Sequence, residues 1–170
     1  VLSSASLQDM MRVYKSAHGS DLSHFADYYA VQLNDTHPAM SIPELIRLLM
    51  AEGMDFDQAF SITQKTFSYT NHTVMGEALE KWPLNLMRSV VPQIADIICR
   101  IDHKLRTEIP MDFQERRTKK LFIIDEDIVH MANLSIYVGS YVNGVAEIHS
   151  QILKDDCFKE WYQVFPERFQ

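Results

Sequence analysis

The sequence has little of what defines several protein classes. Two cysteines, Cys99 and Cys157, are too few for a disulfide framework and favour a reducing, cytoplasmic setting. Five glycines and six prolines in 170 residues exclude a collagen-like or low-complexity chain. No apolar run reaches the ~18 residues of a membrane-spanning helix. With 16 Lys and Arg against 23 Asp and Glu, the chain has no basic stripe for nucleic acid.

Apolar residues, in contrast, are plentiful, and they predict a folded domain. Nine Phe, seven Tyr, two Trp and nine Met are too many apolar anchors for a disordered chain. A length of 170 residues suits one domain rather than two. The first residue is Val rather than Met, and Val1–Leu7 does not have the pattern of a signal peptide. We therefore expect a fragment that begins inside a structural element.

The order of apolar segments predicts an α/β domain with a parallel sheet. We expect strands over Val1–Ala5, Tyr28–Leu33, Ser68–Thr70 and Asn133–Gly139, with helices between them. Asn143–Gly144 is interpreted as the start of a last helix, which carries Val145, Ile148 and Ile152 on one face.

Helix boundaries are predicted from capping residues. Ser6, Ser41 and Asp55 each precede an acidic or amide residue by three positions, which is the spacing of a capping box. Pro92 interrupts the longest amphipathic pattern and predicts two helices in tandem. The C-terminal segment contains three aromatic residues, Trp161, Phe165 and Phe169, which need a surface to pack against.

Polar loops follow three of the predicted elements, at Asn34–His37, Asn71–Thr73 and Ser140–Gly144. Sites in parallel sheets lie outside the carboxyl ends of the strands, and these side chains suit sugar hydroxyls. If the strands are neighbours, Asp35 accepts a hydrogen bond from His72 and leaves the other ring nitrogen for a ligand. Each loop can equally be an ordinary turn stabilised by its own polar side chains.

The sequence predicts neither a catalytic residue nor a metal or cofactor ligand. Glu77 and Glu80 would share a helical face as a carboxylate pair, but acidic residues also favour a first helical turn. There is no zinc-type spacing, no Gly-x-Ser-x-Gly and no phosphate-binding glycine loop.

These same loops resemble the α-glucan phosphorylase family, which comprises glycogen, starch and maltodextrin phosphorylases. The similarity extends over nearly the whole chain, in order. The segments that carry it are Ala30-Val-Gln-Leu-Asn-Asp-Thr-His-Pro38, Ile42-Pro-Glu-Leu45, Thr66-Phe-Ser-Tyr-Thr-Asn-His-Thr-Val74, Glu77-Ala-Leu-Glu-Lys-Trp-Pro83, His130-Met-Ala-Asn-Leu134 and Val142-Asn-Gly-Val-Ala-Glu-Ile-His-Ser150.

The resemblance implies that residues 1–170 are a single partial domain, the later part of the family's N-terminal domain, without the C-terminal cofactor domain. It implies a Rossmann-like parallel sheet flanked by helices, in one half of a two-domain GT-B type glycosyltransferase fold. The implied reaction is phosphorolysis of terminal α-1,4-linked glucose to glucose 1-phosphate. The full enzyme, implied to be a cytoplasmic homodimer, would use pyridoxal phosphate on a lysine outside this chain. No cofactor is expected on the fragment itself.

The resemblance also implies six substrate-binding residues by position: His72, Asp35, Thr73, Glu80, Asn143 and Val145. His72 matches a histidine near the glucose 6-hydroxyl, and Val145 matches a segment close to the C6 side of the sugar. His37 matches a less directly involved neighbour.

Two positions depart from the family pattern. Gly76 stands where the family usually has Pro, and it loosens the loop before Glu80. Val13 follows Arg12 where AMP-activated members have a second Arg, so we expect no AMP activation.

Three functions remain open from the sequence. The first is an enzyme fragment that supplies sugar-site residues and is inactive alone. The second is a non-catalytic carbohydrate-binding module, and the third is an inert scaffold piece.

Overall fold

A parallel sheet of three strands lies at the centre of the chain, with helices packed around it. The computed structural model describes residues 1–110, 113 and 115–170. The helices are α1 (Leu2–His18), α2 (Phe25–Tyr28), α3 (Ser41–Ala51), α4 (Phe56–Thr66), α5 (Leu84–Val90), α6 (Pro92–Glu108), α7 (Glu115–Thr118), α8 (Met131–Val138), α9 (Glu147–Ile152) and α10 (Lys159–Val164). The strands are β1 (Val31–Asn34), β2 (Phe67–Asn71), β3 (Lys81–Pro83), β4 (Ile124–Asp125), β5 (Ile128–His130) and β6 (Val142–Gly144).

The central sheet has the strand order β1–β2–β6, and both pairings are parallel. Asn34 lies opposite Thr70, and Thr70 lies opposite Asn143. Parallel neighbours need a crossover connection, which α3 and α4 provide between β1 and β2. The predicted α/β arrangement with a parallel sheet is confirmed.

A second, antiparallel sheet has the order β3–β5–β4. Its β4–β5 hairpin turns through Glu126 and Asp127, whose φ angles of 48° and 60° are both left-handed. Two left-handed residues are typical of a type I′ turn, which matches the twist of the strands it joins. The pairing of β3 with β5 places Lys81 opposite His130 and so anchors the chain just after Glu80.

The core contains an apolar helix, α8, in which every residue is buried. Tyr137 of α8 lies 6.5 Å from Trp161, between ring centroids, and Trp161 lies 5.8 Å from Phe165. The Trp161 indole N–H donates to the Asn133 side-chain oxygen at 3.0 Å, so the polar atom of each is satisfied. Trp161 and Phe165 thus pack on α8, whereas Phe169 lies beside Val142 of β6.

Two predicted strands are wrong. Val1–Ala5 opens α1, because its small residues are compatible with a helix whose buried stripe continues through Leu7, Met11 and Tyr14. Asn133–Val138 belongs to the buried helix α8, and Gly139 follows its last residue, since a short run that is buried on all sides does not distinguish a strand from a core helix.

The predicted helix start at Asn143–Gly144 is also wrong. These residues extend β6, because Asn143 pairs with Thr70 of β2, and the helix begins only at Glu147. Val145 consequently lies in the turn between the two elements and is 58% exposed rather than facing the core.

The capping predictions have mixed outcomes. Asp55 forms both bonds of a capping box with Gln58 at the start of α4. Ser6 lies inside α1, and α3 begins at Ser41 without a side-chain cap. Glu44 instead accepts hydrogen bonds from Ser4 and Arg47, and the Arg47 guanidinium holds the pKa of Glu44 below its usual range. The predicted break at Pro92 is confirmed by the boundary between α5 and α6.

None of the helices built by the described residues combines the length and apolar character needed to cross a membrane.

The Asp55 capping box provides a test of local stability in α4. Replacing Asp55 by Ala removes the carboxylate that accepts the Gln58 N–H at 2.8 Å. We expect the first turn of α4 to lose about 1 kcal/mol and its amides to exchange faster by roughly fivefold. Hydrogen exchange followed by mass spectrometry on peptides from residues 55–66 measures this, with Ser61→Ala, an exposed change in the same helix, as the control. Equal exchange in both variants would contradict the role given to this cap.

Candidate functional site

Two polar turns meet at the carboxyl edge of the central sheet. The first follows β1 and begins at Asp35, and the second follows β2 and contains His72 and Thr73. The Asp35 N–H donates to the Thr70 carbonyl at 3.0 Å, so the first turn starts directly beside the end of β2. The structure therefore brings the two predicted loops to one edge, where parallel sheets usually carry their sites.

Asp35 ends β1 in a left-handed conformation, with φ of 65°. Asp adopts this region more readily than most residues, and its side chain offsets part of the cost. Here the Asp35 carboxylate accepts the Thr36 backbone N–H at 2.7 Å. The turn is thus stabilised by the residue at which the chain leaves the strand.

A polar pocket of about 520 Å³ lies at this edge. Its walls come from the turn after β1 and from the segment between β2 and β3. The residues that line it are Asp35, Thr36, His37, Thr73, Ala78, Leu79 and Glu80. Three of the six predicted binding residues therefore share one cavity.

The Glu80 carboxylate is held from two sides. Its Oε2 accepts from the Thr36 hydroxyl at 2.6 Å, and its Oε1 accepts from the Trp82 indole N–H at 2.7 Å. The Glu80 carbonyl also accepts the Met131 N–H at 3.1 Å, which ties this residue to the start of α8. Thr36 is only 3% exposed, so its hydroxyl is a fixed, buried donor. The carboxylate is thereby oriented while each oxygen keeps a lone pair for a ligand.

Thr36 and Trp82 hold the Glu80 carboxylate, and the sequence reasoning selected neither residue. Their signals were present, since Thr36 directly follows Asp35 and Trp82 stands two residues after Glu80. Only the folded chain shows that both donate to one carboxylate.

The predicted Glu77–Glu80 pair is not formed on a helical face. Gly76–Ala78 is a single 3₁₀ turn, and Glu80 follows it in extended backbone leading into β3. Glu77 is exposed, whereas Glu80 lines the pocket. Nothing lies within 4 Å of a Cβ built on Gly76, so this position sits in open space.

His72 lies on the same edge but stands apart from the pocket lining. Its side chain is exposed and makes no hydrogen bond to any residue that the structure describes. The predicted bond between Asp35 and His72 is not formed, and the bond that the Asp35 carboxylate does accept comes from the adjacent Thr36 N–H. Both ring nitrogens of His72 are left available to a ligand.

Asn71 supports the turn that carries His72. Its side-chain amide donates to the Tyr69 hydroxyl at 2.9 Å, and its carbonyl oxygen accepts the Thr73 N–H at 2.9 Å. Burial raises the pKa of Tyr69, so this hydroxyl stays protonated. Asn71 therefore acts as a buried brace for the turn, with Thr73 locked at the pocket wall.

The third strand end supplies Asn143. A row of polar side chains crosses the sheet: the Gln32 amide donates to the Thr70 hydroxyl at 2.8 Å, and that hydroxyl donates to the Asn143 side-chain oxygen at 3.2 Å. The Asn143 amide then donates to the Gly144 carbonyl at 2.8 Å. Asn143 and the exposed Val145 lie at the same edge as the pocket without lining it.

Known proteins are similar to this chain over nearly its whole length. A model of the carbohydrate phosphorylase family matches residues 1–170. The chain is 48% identical to the maltodextrin phosphorylase of Streptococcus pneumoniae over 152 residues, which are 89% of this chain and 19% of that protein. It is 42% identical to the H isozyme of α-glucan phosphorylase from Triticum aestivum, over 99% of this chain and 22% of the relative. It is 41% identical to the muscle form of glycogen phosphorylase from Rattus norvegicus, over 98% of this chain and 21% of the relative.

The chain spans about a fifth of the length of these curated relatives. Identity above 40% nevertheless covers nearly all of the 170 residues, including every element that builds the polar edge of the sheet. The family model likewise matches from the first residue to the last. On both grounds, the chain belongs to the carbohydrate phosphorylase family.

Proposed function

We propose that this chain is part of an α-1,4-glucan phosphorylase, which transfers the terminal glucose of a glucan to inorganic phosphate and so forms glucose 1-phosphate. In this proposal the chain supplies sugar-binding side chains and is inactive by itself. The observation that carries it is the oriented Glu80 carboxylate in a polar pocket at the carboxyl edge of a parallel sheet. The names of the relatives support the same substrate class.

The groups at this edge suit a sugar in chemical terms. Ionised carboxylates accept hydrogen bonds from hydroxyls strongly, and Asp35 and Glu80 place two of them on one cavity. The His72 imidazole can donate or accept at a hydroxyl, since neither nitrogen is engaged by the described residues. The exposed Val145 offers an apolar contact for the C–H groups of a pyranose. These groups bind and orient a sugar, and we assign none of them a covalent role.

We further propose residues 1–170 as a partial, later portion of an N-terminal domain in a GT-B type fold. The missing half of the cleft would come from a C-terminal domain outside this chain, and the complete enzyme would be a cytoplasmic homodimer. The match to about a fifth of the length of the relatives supports this arrangement, because it leaves room in the complete protein for a second domain that covers the pocket.

Pyridoxal phosphate, the cofactor that the resemblance implies, would supply a phosphate group for proton exchange when bound. The pocket described above does not fit it. Its charged side chains Asp35 and Glu80 are anionic, and neither Lys nor Arg is among the residues that line it. Such a cavity repels a phosphate and offers no amine for a Schiff base. We therefore place the cofactor on residues outside this chain.

The role of His72 is tested by His72→Ala in the complete protein that carries this chain. Phosphate-dependent release of glucose 1-phosphate from maltoheptaose is the assay. We expect kcat/KM to fall about tenfold or more, because a hydrogen bond to a sugar hydroxyl is lost, while thermal stability is unchanged. His103→Ala, an exposed histidine on α6, is the matched control.

Two outcomes would oppose this proposal. Full activity of the His72→Ala protein would contradict the role of His72. Binding of maltoheptaose by the wild-type protein with no phosphorolysis would favour a non-catalytic carbohydrate-binding module.

The two-sided support of Glu80 gives a second test. Thr36→Val removes the hydroxyl that donates to Glu80 but preserves the shape of the side chain, and Thr36→Ser keeps the hydroxyl. We expect Thr36→Val to lower kcat/KM for maltoheptaose by about fivefold, because the Glu80 carboxylate loses one of its two donors. We expect kcat/KM of Thr36→Ser to stay near the wild-type value. Steady-state kinetics with both variants measure the difference. Equal effects of Val and Ser would show that packing at position 36, rather than the hydroxyl, matters.

A further inference from the structure

The turn after β6 is held by two side chains from the helix that follows it. The Gly144 N–H donates to the Ser150 hydroxyl oxygen at 2.9 Å, and the Val145 N–H donates to Nδ1 of His149 at 3.1 Å. Both bonds run from successive backbone amides of the turn to the α9 helix, which begins at Glu147. The path of the backbone between β6 and α9 therefore depends on His149 and Ser150.

The imidazole of His149 also packs tightly against this turn. A Cβ built on Gly144 would lie 2.7 Å from Cγ of His149 and 2.8 Å from the Ser150 N atom. A side chain at position 144 would therefore displace the ring or the start of α9. Glycine permits the contact, so the ring and the turn are fitted to each other at van der Waals distance.

The hydrogen bond from Val145 determines the chemical form of the ring. Nδ1 can accept a backbone N–H only if it carries no proton, so the proton of the neutral imidazole is on Nε2. His149 is 7% exposed, and its Nε2 is buried with no partner among the described residues. The orientation of the ring therefore does not depend on a hydrogen bond at Nε2. The contact with the turn and the surrounding packing set it instead.

The turn that His149 holds follows β6 at the same edge of the sheet as the proposed sugar site. On its other side, the Asn143 side chain is tied to Thr70 of the neighbouring strand. Between these two supports, the Val145 side chain projects from the surface with 58% of its area exposed. A small change in the backbone of residue 145 would move this side chain relative to the rest of the edge.

We propose that His149 is a positioning residue that sets where Val145 stands at the sugar-binding edge. With Val145 on the C6 side of the glucose, as the resemblance implies, His149 tunes selectivity at that carbon. The inference rests on the proposed function, because it uses the sugar-facing role of Val145. His149 itself is buried and does not touch the sugar. It acts through its Nδ1 bond to the Val145 backbone.

The test compares His149→Asn with His149→Leu in the complete protein. The two replacements have nearly the same size and branching, but only Asn retains an acceptor near the position of Nδ1. In the synthesis direction, with maltooligosaccharide as acceptor, kcat/KM is measured for α-glucose 1-phosphate and for α-xylose 1-phosphate, which has no C6 group. We expect His149→Leu to lower the ratio of kcat/KM for α-glucose 1-phosphate to that for α-xylose 1-phosphate by about five- to tenfold. We expect His149→Asn to keep this ratio within about twofold of wild type.

A general loss of stability would lower both rates together and would leave their ratio unchanged, so the ratio reports on positioning. If His149→Leu does not fold, Ser150→Ala removes the neighbouring acceptor of the Gly144 N–H and should lower the same ratio, by a smaller factor. His103→Leu serves as the control for a histidine-to-leucine change elsewhere.

The inference is overturned if His149→Leu leaves the donor ratio unchanged. If His149→Leu does not fold, an unchanged ratio in Ser150→Ala overturns it. So does an equal loss in His149→Leu and His149→Asn. These results are distinct from failure of the proposed function, which would appear as wild-type activity in His72→Ala or as no phosphorolysis in the wild-type protein.

Discussion

The register of the parallel sheet is the constraint on which the rest of this structure depends. Asn34, Thr70 and Asn143 lie side by side on β1, β2 and β6, so the three following turns open at one edge. Side chains alternate along a strand, and a slip of one residue would turn Thr70 to the opposite face. The Gln32–Thr70–Asn143 row of hydrogen bonds would then be lost together with the alignment of the turns.

The pocket at that edge also depends on the second sheet. Glu80 reaches it from the segment before β3, and β3 is held in place by pairing with β5. Strand β5 belongs to the β4–β5 hairpin, which turns through two left-handed residues, Glu126 and Asp127. These residues lie more than forty positions along the chain from Glu80. One carboxylate in the pocket is therefore oriented by Thr36 from the central sheet and anchored through a distant antiparallel hairpin.

Beneath the sheet, α8 carries polar atoms that have defined partners. Asn133 is its clearest case, since the amide donates to the carbonyls of Lys120 and Phe122 and the side-chain oxygen accepts from Trp161. A buried amide with three satisfied bonds joins the segment before β4 to the C-terminal aromatic residues. The Asn133 side chain thus joins these two parts of the core with all of its polar atoms paired.

The sequence by itself determined the α/β class, the polar turns at Asp35 and Asn71–Thr73, the α4 capping box and the break at Pro92, because each is written in local spacing or in a residue's own preference. Tertiary structure decided what local spacing does not contain. It made Asn133–Val138 a helix, since burial on all sides removes the periodicity that separates helix from strand. It also brought the Thr36 hydroxyl to Glu80 from 44 positions away, because that bond depends on which strand ends become neighbours in space.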